Sequence, residues 1–472
     1  MGCLICFSGA SQVPTGSHLS QFPHPHEDIR FTYHFFKAIG FARYGTVRLA
    51  SRKSHPNDLV AIKSIVKKKL KTGLERLERE IHTLFTLDHP NIIKLYEVFE
   101  DSNYIHLVTE HCSGGELMER LMLRGKYSEP EASHLLQKIF LAVNNLHHNE
   151  ICHRDLRPQS FLFATKAVDA ELKLINFGLS NKYCSNSGAE QKAKIVRSRY
   201  YTAPEVMRGE YGLKCDIWSL GVIMYVLLSG NMPFAGSTTE AVLENIQSGR
   251  FDLRDRVWKN ISTSGIDLLG KLLVVEPLNR YSAEEALEHP WLCRNCPETP
   301  RIISHGVLES LKLYKPRNLF QTEVYAIIVK YLSSDKTRDL KATFMALDED
   351  KTGFISLREL TQGLKRFKSL DSQQLQNILC NADFKKDGRI NYSEFLAATL
   401  ESCTLLDEDL LWRAFNLFDV DKSGVITVQN VQEAMKRAGK VRGRQEVGDM
   451  MSAVGASEAG FNYEQFKVVM RK

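Results

Sequence analysis

The sequence predicts an α+β protein, with a mixed region of strands and a helix, then a helix-rich region, and finally an all-α second half. Strand-like stretches punctuated by Gly and Pro run from Arg30 to Ser64, and helical periodicity dominates from Glu129 onward. Beyond Asp335, a unit of helix, acidic loop and helix occurs four times. With 472 residues and about 150 residues per domain, the chain has room for about three domains.

Composition and charge exclude several classes of protein. Hydrophobic residues make up 43% and charged residues 25% of the chain, so it is neither disordered, nor collagen-like, nor a disulfide-dense small domain. The net charge of +6 is too small to indicate nucleic-acid binding. The ten cysteines have no framework spacing. The apolar run from Leu220 to Leu228 is about half as long as a transmembrane helix, so we expect a protein that is neither secreted nor membrane-spanning.

The first 29 residues are rich in Gly, Ser, Pro and His, contain no Lys or Arg, and predict a tail rather than a domain. Their start resembles an N-myristoylation signal, with Gly2 as the acceptor and Cys3 and Cys6 as further acylation candidates. One myristoyl chain binds membranes only marginally, and the tail has no basic cluster, so stable anchoring requires palmitoylation of a cysteine. We expect a cytoplasmic protein held on the cytosolic face of a membrane.

A glycine-rich stretch between two predicted strands, residues 39–47, suits phosphate binding. Gly40 and Gly45 have no side chains to keep backbone N–H groups away from phosphate oxygens, and Val47 follows on the second strand. Ala42 stands at a middle glycine position, so this stretch alone is a weak signal.

Downstream, a lysine and a glutamate stand where they can act together. The run Val60 to Lys63 places the lysine on a strand, and Glu80 lies on the next predicted helix. Glu80 could pair with Lys63 and aim it at phosphate oxygens. Taken singly, each residue is better explained as a solvated surface side chain.

Three further motifs occur in the order and spacing of the protein kinase signature, namely His153–Leu156, Asn176–Gly178 and Ala203–Glu205. The run Asp216–Gly221 extends the match, as does Arg280, which kinases pair with the glutamate of the third motif. This part of the chain resembles a protein kinase domain. The resemblance implies a bilobal fold that binds ATP and transfers phosphate to Ser or Thr of a protein substrate.

The resemblance also implies roles for individual residues. Asp155 matches the base that accepts the substrate hydroxyl proton, and Arg157 stands where Ser/Thr kinases usually carry a lysine. The implied catalytic residues are Asp155, Lys63, Glu80 and Arg157. The implied nucleotide-site residues are Gly40, Gly45, Val47, Lys63, Glu110, Glu116, Ser160 and Asn176.

Two departures from the family pattern fall on the metal. Kinases hold Mg²⁺ with an aspartate at the position of Asn176 and an asparagine at the position of Ser160. An amide offers a neutral oxygen in place of a full negative charge, and a serine hydroxyl is a shorter and weaker ligand. We therefore expect Mg²⁺ binding to be weak or absent and phosphate transfer to be slowed by about 10⁴.

The second half contains loops with the oxygen pattern of EF-hand calcium sites. The first loop has oxygen ligands at alternate positions, a glycine at the sixth position and a bidentate glutamate at the twelfth. Its predicted ligands are Asp348, Asp350, Thr352, Phe354, Ser356 and Glu359.

The other three loops depart from this pattern. The predicted ligands are Asp383, Asp387, Arg389 and Glu394 in the second loop and Asp419, Asp421, Ser423 and Val425 in the third. Lys385 at the third position of the second loop should repel a cation, so we expect that site to be weak or empty. Asn430 replaces the bidentate glutamate of the third loop, which predicts binding without full switching. The fourth loop, residues 454–465, has almost no ligand oxygens and is expected to serve as a pairing partner only.

A kinase domain, a junction and four EF-hands in one chain resemble the calcium-dependent protein kinases of plants and protists. The implied divisions are an acylated tail (1–29), a kinase domain (30–292), an autoinhibitory junction (293–335), and EF-hand pairs at 336–402 and 403–472. In that family the junction blocks the active cleft at low calcium. When calcium is bound, the calmodulin-like part binds the junction.

The segment from Val307 to Leu332 is the predicted junction helix, and Pro316 interrupts it. Its predicted anchors are Leu308, Leu311, Leu319 and Phe320. The alternative is a linker helix packed permanently on the EF-hand part.

The expected ligands are ATP and Ca²⁺, with Mg²⁺ bound weakly or not at all. The expected partners are a membrane, through acylation, and the junction within the chain, but no nucleic acid, and the protein substrate is open. Three functions remain: a calcium-regulated protein with weak or absent phosphotransfer, an active calcium-dependent Ser/Thr kinase, and a nucleotide-free calcium-binding scaffold.

Overall fold

The structure is a computed structural model. It describes residues 28–42, 44–70, 73–182, 199–209, 212–294, 307, 310–311, 318–332, 334–364, 372–383, 386–399, 408–437, 442–456 and 460–471. The predicted acylation sites Gly2, Cys3 and Cys6 lie outside these residues, as do Leu308 and Lys385.

Five antiparallel strands form one sheet in the first lobe, in the order β1-β2-β3-β5-β4. They are β1 (Tyr33–Ala42), β2 (Gly45–Arg52), β3 (His55–Val66), β4 (Leu95–Glu100) and β5 (Tyr104–Glu110). In the central strand β3, Lys63 lies opposite Val47 of β2 on one side and Leu107 of β5 on the other. This register sets Lys63 next to the glycine-rich hairpin of β1 and β2.

Helix α1 (Leu74–Thr86) is amphipathic. Leu77, Ile81 and Leu84 recur three or four residues apart and are buried. Glu80 falls on the same face and is buried with them, because residues three or four apart share one side of a helix. The apolar stripe that attaches α1 to the lobe therefore also fixes where Glu80 points.

The second lobe is helical. Its helices are α2 (Leu117–Arg124), α3 (Glu129–His148), α4 (Pro204–Met207), α5 (Lys214–Ser229), α6 (Thr239–Ser248), α7 (Thr263–Leu272), α8 (Ala283–Glu288) and α9 (Pro290–Arg294). Ser128 and Glu131 exchange hydrogen bonds in a capping box that starts α3. Helix α5 is buried from Cys215 to Leu228, so its long apolar run forms the centre of the lobe. Among the described helices, none is long and apolar enough to cross a membrane.

Two small sheets position the catalytic loop, residues 153–160, which carries Asp155. The strands are β6 (Ile151–Cys152), β7 (Phe161–Phe163), β8 (Leu172–Leu174) and β9 (Asn181–Lys182). Strand β6 pairs with β9, and β7 pairs with β8. Asp155 lies between β6 and β7, and Asn176 follows β8, so these pairings bring the two residues to the same cleft.

The second half is built from EF-hands. Its helices are α10 (Leu319–Ile328), α11 (Ser334–Leu347), α12 (Leu357–Leu364), α13 (Ser372–Ala382), α14 (Tyr392–Thr399), α15 (Glu408–Phe418), α16 (Val428–Arg437), α17 (Arg444–Ser452) and α18 (Tyr463–Arg471). Its strands are β10 (Phe354–Ser356), β11 (Arg389–Asn391), β12 (Val425–Ile426) and β13 (Phe461–Asn462). Strand β10 pairs with β11 and β12 with β13, so the four loops form two pairs.

The predicted junction packs into the EF-hand core in this structure. Leu311 and Phe320 are buried in one hydrophobic cluster with residues of the EF-hand helices. The side-chain amide of Gln321 donates to the backbone carbonyl of Val469 at 2.6 Å. Leu319 is 42% exposed, so its prediction as an anchor is wrong. Helical spacing turns Phe320 inward and leaves its neighbour Leu319 on the outer face.

Candidate functional site

The lysine and glutamate of the first lobe form an ion pair. Lys63 Nζ lies 2.7 Å from Glu80 Oε1, and the glutamate side chain is only 10% exposed. A Cβ placed on Gly178 would lie 3.1 Å from Glu80 Oε2, so α1 reaches the 176–178 motif closely. This pair must be in place for a kinase to act, because it sets the lysine that contacts ATP phosphates.

Phe177 of the same motif is buried, and its ring meets the ring of His153 edge-on at a centroid distance of 5.2 Å. His153 Nε2 lies 3.1 Å from the backbone oxygen of Ile175. Burial lowers the pKa of His153, which favours the neutral ring that fits this apolar contact. The cleft therefore has a packed, ordered floor.

Asp216 of α5 holds the catalytic loop through its backbone N–H groups. Its carboxylate accepts hydrogen bonds of 2.8 Å from the backbone N–H groups of His153 and Arg154. His147 Nε2 lies 3.1 Å from the same carboxylate. Burial alone would raise the pKa of Asp216, but its hydrogen bond with His147 and the neighbouring charges hold the pKa below its usual value. The anchoring residue is therefore charged, which strengthens both backbone hydrogen bonds.

Asp155 and Arg157 share the mouth of the cleft. Arg157 Nε lies 3.9 Å from Asp155 Oδ1, so a guanidinium stands where kinases usually present an ammonium group. Glu116 caps the start of α2, and burial together with the nearby Glu119 raises its pKa. Because burial and a like charge both disfavour the ionised carboxylate of Glu116, a basic partner would stabilise it.

The two predicted magnesium positions carry neutral side chains. Ser160 is fully buried and donates its hydroxyl hydrogen to the backbone oxygen of Asp155 at 2.8 Å. Asn176 has a left-handed backbone, with φ 69° and ψ 59°, and an exposed side chain. Among the described residues, no group of three carboxylate, imidazole or thiolate ligands forms around Asp155. A hard divalent cation favours anionic oxygens, and neither of these two positions offers one.

The glycine-rich hairpin depends on a close backbone approach. A Cβ on Gly45 would lie 1.8 Å from the carbonyl oxygen of Ser64, so no other residue fits there. Gly40 is less restricted, since a Cβ there would meet Val47 Cβ at the ordinary contact distance of 3.7 Å. Strand packing therefore requires a glycine at position 45, whether or not a phosphate binds there.

Glu110, predicted as a nucleotide-site residue, directs its side chain elsewhere. Its carboxylate accepts the backbone N–H of Lys94 at 2.8 Å and pairs with Lys173 Nζ at 2.9 Å. Although burial opposes the charged form, the neighbouring Glu110 raises the pKa of Lys173. Because its carboxylate is engaged in these contacts, Glu110 could contact a nucleotide only through its backbone groups.

The first calcium loop has the geometry of a cation site. The carboxylates of Asp348, Asp350 and Glu359 each offer an oxygen within 4.8 Å of the others. Burial raises the pKa of Asp348 well above its usual value, and Glu359 and Asp350 add to the effect. A calcium ion would relieve this crowding of negative charge, so the residues fit calcium.

The first three loops share one backbone form. The fourth position has positive φ in each, at Lys351 (59°), Lys386 (56°) and Lys422 (56°). The sixth position has positive φ as well, at Gly353 (81°), Gly388 (83°) and Gly424 (81°). The second and third loops thus retain the EF-hand turn, although in the described part of the chain only the first brings three carboxylates together.

The position-twelve residues of the loops differ in charge but not in placement. In the third loop, Asn430 Oδ1 accepts the N–H of Thr427 at 2.9 Å. In the first loop, Glu359 Oε2 accepts the N–H of Ser356 at 2.9 Å. The side-chain oxygen is held in the same way in these two loops, but of the two residues only Glu359 brings a negative charge.

The EF-hand half contacts the kinase half through polar groups from both of its loop pairs. Lys341 Nζ lies 2.6 Å from Glu171 Oε2, and Arg413 Nη1 lies 2.6 Å from Asp58 Oδ2. Burial alone would raise the pKa of Glu171, but Lys341 and other lysines lower it to about 2.

Further contacts of this interface lie at the loops. The backbone N–H and hydroxyl of Ser393 donate to Asp88 at 2.7 and 2.8 Å. Asn144 and Asn145 of α3 donate to the first calcium loop. The sequence gives no signal for these pairs, because their partners stand more than two hundred positions apart.

Comparison with known proteins agrees with this geometry. Residues 33–292 match the model of the protein kinase domain, residues 337–400 the EF-hand domain pair, and residues 410–440 the EF-hand domain. Calcium-dependent protein kinase 34 of Arabidopsis thaliana is 36% identical over 468 residues, covering 98% of this chain and 88% of the relative. Calcium-dependent protein kinase 11 of Oryza sativa subsp. japonica is 36% identical over 449 residues, covering 94% and 77%.

The fold and the cleft define a protein kinase domain joined to EF-hands, as the sequence predicted. The chain belongs to the calcium-dependent protein kinase family. It has the calcium-regulated Ser/Thr protein kinase architecture of that family.

Proposed function

We propose that this protein binds ATP and calcium, transfers phosphate weakly or not at all, and signals through calcium-dependent changes of shape and partner binding. One contrast within the cleft carries the proposal. The pair that positions ATP is formed, and Asp155 is present, whereas the two metal positions are Ser160 and Asn176.

The residues of the first lobe suit nucleotide binding. Lys63, held by Glu80, would contact the phosphates of ATP, and the backbone of the glycine-rich hairpin would cover them. These interactions need no metal ligand from the protein. Nucleotide binding that survives without Mg²⁺ is therefore the expected behaviour of this cleft.

The residues of the cleft favour phosphate transfer less than they favour nucleotide binding. In kinases, Mg²⁺ neutralises the charge that develops on the transferred phosphoryl group. Asp155 would orient the substrate hydroxyl and accept its proton, and Arg157 would bring a positive charge close to that oxygen. The missing anionic ligand leaves the largest electrostatic contribution unsupported, which is the reason for expecting slow or absent transfer.

A working Ser/Thr kinase is the second candidate, and the assembled cleft favours it. The pair between Lys63 and Glu80 and the packing of Phe177 against His153 are features of a competent kinase. In this case Asn176 and Ser160 would hold a metal poorly but sufficiently. Mn²⁺ is then the better ion, because it accepts neutral ligands more readily than Mg²⁺.

Calcium binding is proposed to depend mainly on the first loop. Its three carboxylates converge, whereas in the described part of the chain no three carboxylates of the second or third loop come together. Leu311 and Phe320 of the junction are buried in the EF-hand core, and we propose that calcium strengthens this contact. Release of that segment toward the cleft at low calcium is the shape change that the family resemblance implies.

Membrane attachment through the acylated tail is a further part of the proposal. It rests on Gly2, Cys3 and Cys6, which the sequence places at the positions of acyl acceptors. The double variant Cys3→Ser/Cys6→Ser should move the protein to the soluble fraction. A wild-type protein that is already soluble would contradict this part.

Two assays test the proposal. The first measures phosphate transfer from ATP to a basic peptide with saturating Mg²⁺ or Mn²⁺, with and without calcium, beside the Asp155→Asn variant. Turnover no higher than that of Asp155→Asn supports the proposal, and calcium-stimulated turnover that Asp155→Asn abolishes establishes the active kinase instead.

The second assay measures thermal stabilisation by ATP with and without Mg²⁺. Stabilisation that needs no metal agrees with a nucleotide-binding protein of weak activity. Stabilisation only with metal favours the active kinase, and no stabilisation at all indicates a calcium-binding scaffold.

A further inference from the structure

The first calcium loop is held by two buried asparagines of the kinase domain. Asn144 Nδ2 donates to the backbone oxygen of Lys351 at 2.8 Å, and Asn145 Nδ2 donates to that of Thr352 at 3.0 Å. The two asparagine residues are 2% and 0% exposed. In the opposite direction, Lys351 Nζ donates to the backbone oxygen of Leu287 at 2.8 Å.

These contacts use the same peptide groups that hold a predicted calcium ligand. The peptide that accepts from Asn144 carries the N–H of Thr352, which donates to Asp348 Oδ1 at 2.9 Å. The peptide that accepts from Asn145 carries the N–H of Gly353, which donates to Asp348 Oδ2 at 2.9 Å. Two successive peptide groups therefore connect the two asparagines to the two oxygens of Asp348.

The fit at Gly353 is close. A Cβ at this position would lie 2.4 Å from Asn145 Nδ2 and 3.1 Å from a ring carbon of His89. The glycine serves the positive φ of the turn and also lets α3 approach the loop backbone. The contact is thus part of the loop geometry itself.

We infer that Asn144 and Asn145 are positioning residues for the first calcium loop, so that the loop binds calcium more tightly when it is docked on the kinase domain. This inference rests on the calcium binding included in the proposed function. A free loop must lose conformational freedom to bring its ligands together, whereas the docked loop has two of its peptide groups already fixed. A hydrogen bond to a peptide oxygen also polarises the N–H of the same peptide, which strengthens its bond to Asp348.

The coupling works in both directions. If docking raises the calcium affinity of the loop by a given factor, calcium must strengthen docking by the same factor. Couplings of this kind are typically about 5-fold to 150-fold. The kinase domain would therefore set the calcium concentration at which its own regulatory half engages.

The test is a calorimetric calcium titration of the full-length protein. The variant Glu359→Gln identifies the site that belongs to the first loop. The variant Asn144→Leu/Asn145→Leu keeps the side-chain size but cannot donate, and it should weaken calcium binding at that site by about 5-fold or more. In the Glu359→Gln background the two leucines should have no further effect.

Two additional variants distinguish the predicted effect from loss of folding and from general undocking of the two halves. Lys351→Met removes one contact from the opposite side of the interface, leaves α3 intact and should also weaken the first site. Asp88→Asn weakens the contact with Ser393 at the second loop and should change the first site by less than 2-fold, as a matched control. Hydrogen exchange at the amides of Thr352 and Gly353 should become faster in the leucine variant.

Unchanged calcium affinity and exchange in both the leucine and Lys351→Met variants would overturn the inference. An Asp88→Asn variant that weakens the first site as much as the leucines would overturn the positioning role of the two asparagines, because the effect would then belong to docking in general. If Glu359→Gln removes no calcium site, the proposed calcium binding fails as well, and the two failures are thereby distinguished.

Discussion

Ser160 donates its hydroxyl hydrogen to the backbone oxygen of Asp155 at 2.8 Å, which ties a replaced metal position to the residue that matches the catalytic base. The backbone oxygen of Ser160 also accepts the N–H of Ile175 at 2.8 Å. Serine therefore joins the catalytic loop to the strand that leads to Asn176. These two hydrogen bonds hold position 160 between the residue that matches the catalytic base and the segment that leads to Asn176.

Restoring both metal positions should restore phosphate transfer. The variant Ser160→Asn/Asn176→Asp supplies the amide and the carboxylate that kinases use. Removing one transition-state contact costs about 3 kcal/mol, so we expect turnover to rise by about 10²-fold for Asn176→Asp and further for the pair. The measurement is peptide phosphorylation with Mg²⁺.

The matched control adds Asp155→Asn to the restored protein and should abolish the gain. A wild-type protein as fast as the restored variant would contradict this prediction, since it would show that the present ligands suffice.

Loss of Arg280 should strongly destabilise the kinase domain. Its Nη1 and Nη2 atoms donate to the carboxylate of Glu205 at 2.6 and 3.0 Å, and its side chain is fully buried. Removing one partner of a buried ion pair costs about 3–5 kcal/mol, because the other charge is left unpaired. Arg280→Met should lower the melting temperature by several degrees. The double variant Glu205→Gln/Arg280→Met should be less destabilised than Arg280→Met alone, and equal losses would argue against this explanation.

Stability should fall as the pH drops below about 6.5, and His89 should contribute to that fall. Burial, with the positive charges of Lys341 and Lys173, lowers the pKa of His89 to about 3. Between these values the unfolded chain binds a proton that the folded chain does not, so acid favours unfolding, by at most about 1.4 kcal/mol per pH unit. The melting temperature of His89→Gln should therefore decline less than that of the wild type between pH 7.5 and 5.5. Parallel declines would contradict the prediction.

A carboxylate in the third loop should increase its calcium affinity. Asn430 Oδ1 accepts from the hydroxyl of Thr427 at 2.6 Å, much as Glu359 Oε2 accepts from the hydroxyl of Ser356 at 2.7 Å. Asn430→Glu would thus place a bidentate anion where the loop already holds an oxygen, and we expect affinity at this site to rise by 10-fold or more, roughly 1.4 kcal/mol. Calcium titration measures the change. Asn430→Gln is the control, and an equal gain there would show that charge is not the cause.

Local patterns in the sequence were enough to predict the kinase fold and the EF-hands. The motif around Asp155, the strand that carries Lys63 and the loop from Asp348 to Glu359 are each contiguous, so spacing alone reveals them. The alternation of strand and helix periods was sufficient to separate the two lobes. The replacement of both metal ligands was likewise visible, because their positions are fixed relative to those motifs.

Only the tertiary structure decided how these parts act on one another. The ion pair between Lys341 and Glu171, and the hydrogen bonds from Asn144 and Asn145 to the calcium loop, join residues that no local pattern relates. The outward turn of Leu319 depends on which helix face meets the EF-hand core. The sequence by itself determined the chemistry available at each position, because chemistry belongs to residue type and spacing. Long-range packing determined which peptide groups and charges meet, and that decided how the kinase domain holds its first calcium loop.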